Sequence, residues 1–119
     1  MAVNKETVLQ VKHWSDKTFS FRTTRKFPNK FNNGEFAMIG IEHEGKKIMR
    51  AYSIASANHE DFLEFLSIKI QDGPLTSKLQ HIKEGDEILV NPRSTGTLVI
   101  DYLLPGRNLY LIATGTGLA

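Results

Sequence analysis

Arg50-Ala51-Tyr52-Ser53 sets a cation, an aromatic ring and a hydroxyl side by side on one stretch of chain, and Gly73-Pro74-Leu75-Thr76-Ser77 follows downstream. Arginine grips phosphate oxygens in a fixed fork. Tyrosine offers a flat face to another ring, and serine hydrogen bonds at that ring's polar edge. The Gly-Pro-Leu-Thr-Ser run reads as the opening turn of a short helix, whose free N–H groups attract an anion. Together these residues suit a flat, phosphate-bearing cofactor of the flavin dinucleotide kind. Each also has a plainer reading: Arg50 as an exposed edge-strand charge, Tyr52 as a half-buried strand aromatic, Thr76 and Ser77 as helix caps, and Lys69 as a solvated lysine. Strand alternation puts Arg50 and Tyr52 on one face and Ser53 on the other. A bulge, a twist or a backbone contact from Ser53 is needed to bring all three to one ligand.

Other chemistries lack their residues. The chain has no cysteine, which removes disulfides, Cys-ligated zinc and Cys-held iron–sulfur clusters. His13, His43, His59 and His81 are scattered without ligand spacing, so no metal site is expected. No Ser-His-Asp order supports hydrolysis. The net charge of +2 over 119 residues argues against a dedicated nucleic-acid binder and allows a weak preference for acidic partners. Arg22, Arg25 and Lys26 read as a solvated strand end or as a basic docking face. The 40% hydrophobic and 24% charged shares are those of an ordinary globular chain. With no apolar run of signal or membrane-spanning length, a cytoplasmic protein without membrane contact is expected.

The elements that must position the motif are mostly strands. Leu9 and Val11 alternate with polar neighbours, as do Phe19 and Phe21 beyond a turn at Ser15-Asp16-Lys17. Residues 27–34 read as a loop and 35–42 as a strand. Glu44-Gly45-Lys46-Lys47 reads as a hairpin tip before a strand over 48–54. A strand over 62–70 puts Phe65, Ser67 and Lys69 on one face and Leu66, Ile68 and Ile70 on the other. Leu75, Leu79 and Ile82 stand at helical spacing, with Asp72 and Pro74 placed as cap and first-turn proline. Strands are expected at 87–90 and again at 97–100. The fold class is mainly β: a six-stranded antiparallel Greek-key barrel with one short helix.

From Leu109 the pattern changes. Leu109-Tyr110-Leu111-Ile112-Ala113 is apolar on both faces, as a buried parallel strand is, and it runs into Thr114-Gly115-Thr116-Gly117. That Gly-x-Gly is the opening of a dinucleotide fingerprint. The expected division is a barrel domain over 1–105, and over 106–119 the first strand and turn of a truncated α/β nucleotide-binding domain.

Taken in order, Arg50-Ala51-Tyr52-Ser53, Leu63-Glu64-Phe65, Asp72-Gly73-Pro74-Leu75-Thr76, Gly85-Asp86 and Ala113-Thr114-Gly115-Thr116-Gly117 closely resemble the bacterial ferredoxin/flavodoxin–NADP reductases, over nearly the whole chain. The resemblance implies an FAD-binding domain followed by an NADP-binding one, of which only the opening is present. It implies that Arg50 binds the FAD pyrophosphate and that Tyr52, beside Ala51, stacks on the isoalloxazine. It puts Ser53 near flavin N5 as the one catalytic assignment. It runs Leu66, Ser67, Ile68 and Lys69 beside the flavin and ribityl chain. Gly73, Leu75 and Thr76 offer N–H groups to the pyrophosphate, and Thr116 approaches the flavin from the second domain. In the intact enzyme, hydride would pass between NADP(H) and flavin N5, and single electrons to or from ferredoxin or flavodoxin. The 119 residues alone are expected to be inactive. Two other classes compete: a small barrel binding single-stranded nucleic acid through Arg50, Tyr52 and Lys69, and a non-catalytic subunit stabilised by FAD.

Overall fold

A computed structural model describes residues 3–26 and 30–119. Residues 27–29 of the expected 27–34 loop lie outside the described residues. Six strands form: β1 (Asn4–His13), β2 (Thr18–Thr24), β3 (Phe36–His43), β4 (Lys46–Ser53), β5 (Phe62–Ile68) and β6 (Glu87–Val90). One short helix, α1 (Thr76–Leu79), precedes β6. The strands make one sheet in the order β4-β3-β6-β1-β2-β5, with antiparallel pairing throughout. β4 and β5 therefore end the ladder. They approach each other without pairing as strands among the described residues; just past β4, the Ala55 N–H donates to the Glu64 carbonyl of β5 (2.8 Å).

Turn chemistry fixes the β3–β4 hairpin. His43 pairs with Lys46, leaving Glu44-Gly45 as a two-residue loop with φ of 52° and 75°. Two positive φ values match the twist of the flanking strands, and glycine adopts the second at no steric cost. Lys46 and Lys47 belong to the strand, so the tip is shorter than the expected four residues. Inside the curl, Phe19 and Phe21 of β2 stack at 6.0 Å, and Phe21 meets Phe65 of β5 at 5.5 Å. Burial of each such ring contributes about 1.5–3 kcal/mol. Leu75 and Leu79 are buried against the same core and Ile82 packs on it, as the helical spacing predicts.

Several expectations are corrected. Leu9 does not share a phase with Val11: it is 49% exposed, and the β1–β2 register shifts between Val8 and Gln10. The extra residue in that bulge resets the alternation, so Val8 faces the core. Asp72 does not cap α1; the N-cap is Leu75, without a side-chain bond. Residues 97–100 form no strand. Thr95 makes a single bridge to Phe36, after which Gly96 (φ 138°) turns the chain away and Leu98 is 81% exposed. Leu109–Ala113 also forms no strand, and Ile112 is 92% exposed. A buried parallel strand requires a paired neighbour and cover on both faces, and the described residues supply neither. No helix among the described residues is long and apolar enough to cross a membrane.

Candidate functional site

The seam between β4 and β5 opens into a cleft of about 310 Å³. From β4 it is lined by Arg50, Ala51, Tyr52 and Ser53; from β5, by Leu66, Ser67 and Ile68. Ile70, Thr76, Thr116 and Ala119 complete it. Nine of the twelve residues singled out from the sequence thus line one cleft; Lys69, Gly73 and Leu75 do not.

The alternation problem on β4 has a simple solution. The β3–β4 register runs unbroken from Phe36↔Ser53 to His43↔Lys46, so no bulge reorients Ser53. β4 is instead the last strand of the ladder, and the cleft follows its free edge. Side chains from both faces of an edge strand reach a ligand lying along that edge. Arg50 is exposed, with one guanidinium N–H on the Met49 carbonyl (2.7 Å). Most of its five-donor fork remains available. The Ser53 hydroxyl is exposed and has no partner among the described residues.

Tyr52 is half-buried. Its hydroxyl lies 3.0 Å from Ser67 Oγ, and its ring meets Phe65 edge-on at 6.5 Å. Burial pushes the Tyr52 pKa up, and the Ser67 hydroxyl pulls it partly back. The phenol therefore stays protonated at neutral pH. On β5 the faces divide as the sequence indicates: Leu63, Phe65 and Ser67 turn inward, while Ile68 and, beyond the strand, Ile70 stay exposed. That outward apolar row forms one wall of the cleft.

The 70–76 turn supplies donors. The Gly73 N–H is already used by the Ile70 carbonyl (3.2 Å), and the Thr76 hydroxyl donates to the same oxygen (3.2 Å). Leu75 is buried in the core. The N–H groups of Leu75 and Thr76 have no acceptor among the described residues. Lys69 is drawn elsewhere: its ammonium sits on the Ser15 carbonyl (3.2 Å) and its N–H on Lys17 (2.8 Å), which ties it to the β1–β2 turn.

Two lining residues were not among the candidate site residues. Ile70 lines the cleft, and its alternation with Leu66 and Ile68 was the available signal. Trp14 was not: it walls an apolar slot of about 310 Å³ with Ala55, Leu66 and Leu118, next to the cleft. Its Nε1–H donates to Ser20 Oγ (2.9 Å), and the Lys12 ammonium lies 3.8 Å from the ring centre. A wider hollow of about 430 Å³ lies between Lys30–Glu35 and Pro92–Ser94. There Glu35 accepts from the Ser94 hydroxyl and the Asn32 N–H, so its carboxylate is committed to holding two loops together. Among the described residues no group of three acidic, histidine or cysteine side chains is placed to hold a metal.

Known proteins share this sequence and this fold. The chain is 61% identical over 117 residues to a ferredoxin–NADP reductase of Azotobacter vinelandii, covering 98% of this chain and 45% of that protein. It is 58% identical over 115 residues to a flavodoxin/ferredoxin–NADP reductase of Rhodobacter capsulatus, covering 96% and 43%. The chain thus spans somewhat under half the length of these relatives. Among solved structures, a ferredoxin–NADP⁺ reductase from Neisseria gonorrhoeae with bound FAD and NADP superposes with a TM-score of 0.81 at 34% identity, over 85% of this chain and 41% of that one. Residues 5–98 match the oxidoreductase FAD-binding domain, and the chain belongs to that family.

Proposed function

We propose that the β4–β5 cleft holds FAD, and that the chain is the FAD-binding domain of a ferredoxin/flavodoxin–NADP reductase. The observation that carries this reading is the shared cleft: Arg50, Tyr52 and Ser53 from one ladder end meet Leu66 and Ile68 from the other. The donor set fits the cofactor. A dinucleotide needs cationic and N–H donors for its phosphates, and Arg50 with the free N–H of Thr76 supplies them. It needs a flat apolar bed for its ring, which Tyr52 and the Leu66–Ile68 row provide.

Bound FAD would supply the chemistry that links two-electron hydride transfer to one-electron transfer. The residues of this chain orient and solvate it. Arg50 neutralises phosphate charge. Tyr52, protonated, presents a ring. Ser53 brings an uncommitted hydroxyl to the cleft, where it would hydrogen bond near flavin N5 and would not act as a nucleophile. Thr116 closes the cleft from the C-terminal segment. NADP(H) as hydride partner and ferredoxin or flavodoxin as electron partner follow from the relatives' names. Residues 106–119 would open the nucleotide-binding domain, with residues 1–105 as the FAD domain.

An absorbance spectrum tests this directly. The chain is mixed with FAD, excess is removed, and retained, red-shifted flavin bands are expected. A folded chain that binds no FAD by equilibrium titration, alone or within the longer protein, overturns the reading. Salt-sensitive binding of an oligonucleotide instead would favour the nucleic-acid alternative.

A further inference from the structure

The two ends of the ladder meet at the cleft through a pair of side chains. Tyr52 Oη on β4 lies 3.0 Å from Ser67 Oγ on β5. Ser67 is 2% exposed, and its hydroxyl donates to the Ile68 carbonyl at 3.3 Å. A hydroxyl carries one proton. With that of Ser67 directed to Ile68, the Tyr52 phenol is the donor in the Tyr52–Ser67 bond. The ring's edge-on contact with Phe65, at 87°, comes from the same strand. Tyr52 is thus fixed at its Cα by β4 and at its tip and edge by β5.

We propose that Ser67 is a positioning residue for Tyr52, clamping the phenol across the seam so that its ring offers one fixed plane to the isoalloxazine of bound FAD. This rests on the FAD reading of the cleft. It also separates Ser67 from its neighbours on β5, because Leu66 and Ile68 point outward while Ser67 points inward beside Phe65. A ring free to tilt loses stacking contact quickly, since a gap of half an ångström to one ångström forfeits a quarter to a half of the dispersion well. The burial of the phenol, which keeps it protonated, preserves the donor that the clamp requires.

The test uses the intact protein, stripped of flavin and titrated with FAD. Ser67→Ala is expected to weaken FAD binding about fivefold to tenfold, the scale of one lost hydrogen bond. Ser67→Thr, which keeps a hydroxyl, is expected to stay within about twofold. Tyr52→Phe preserves packing and removes the donor, so it tests the clamp if Ser67→Ala fails to fold. Adding Ser67→Ala to Tyr52→Phe is expected to cost nothing more, because the two act through one bond. A second readout needs no flavin: phenol ionisation followed by ultraviolet absorbance, taken as the difference from Tyr52→Phe. Ser67 holds the Tyr52 pKa down against burial, by turning its proton from Ile68 to the phenolate, so Ser67→Ala is expected to raise it further. Unchanged FAD affinity in Ser67→Ala, or an equal additional loss in the Tyr52→Phe background, overturns the proposal. If wild type binds no FAD, the cofactor reading fails. The phenol titration then decides the clamp alone, and an unmoved Tyr52 pKa in Ser67→Ala overturns it.

Discussion

Arg50 and Tyr52 are two residues apart and carry opposite demands. Arg50 is solvated and spends one N–H on Met49, so its removal should leave the fold intact and act on the ligand. Arg50→Ala is expected to weaken FAD binding by roughly tenfold to a hundredfold, for hydrogen bonds to charged groups of about 1.5–3 kcal/mol. Equilibrium titration measures that, with an unchanged melting temperature as control. Tyr52 is instead tied to the core, and its pKa is raised above the usual 10.0, mainly by burial. The folded state therefore holds the phenol proton more tightly than the unfolded state. The associated stability is complete below the ordinary tyrosine pKa and is lost as pH rises through the folded value. Urea midpoints taken at about pH 9 and about pH 11 should fall for wild type and fall less for Tyr52→Phe.

At the scale of elements, the cleft depends on how closely β3 and β4 approach and on the ring column beneath them. Gly40 of β3 is buried opposite Met49, and a Cβ there would collide with the Ile48 carbonyl. That obstacle is backbone and cannot swing aside. Gly40→Ala is expected to cost about 1–3 kcal/mol, as overpacking does, and to lower both the melting temperature and FAD affinity by displacing β4. Phe65 is fully buried, touching Phe21 and Tyr52. Phe65→Ala should cost about 3–5 kcal/mol, read from denaturant unfolding. It should also free the Tyr52 ring. The β5 face division was readable from alternation because both faces of the strand keep one period. The β1 phase was not readable, because one bulged residue at Leu9 resets it and nothing in the local pattern marks the extra residue.

For the whole molecule, the apolar segment from Leu109 to Ile112 is the dominant exposed feature. Monomeric proteins rarely leave a contiguous apolar strip of this kind uncovered. In this chain by itself, Leu111→Ser with Ile112→Ser is expected to reduce self-association, measured by sedimentation, while leaving the FAD site untouched. Unchanged self-association would show that another surface drives it.

The sequence alone determined the mainly β class, the antiparallel pairing sense, the short helix and nine of the residues that line the cleft. Those follow from local periodicity, turn residues and motif order, which neighbouring positions encode directly. The tertiary structure decided which motif residues meet. Lys69 is next to Ile68 in the chain, yet its ammonium belongs to the β1–β2 turn. Gly73 opens the turn before α1, yet its N–H is already spent on the Ile70 carbonyl. Ser53 needs no bulge, because β4 ends the ladder and its open edge serves both faces. Strand order, free edges and cross-strand partners such as Tyr52 and Ser67 are set by pairings between distant segments. No local pattern contains them.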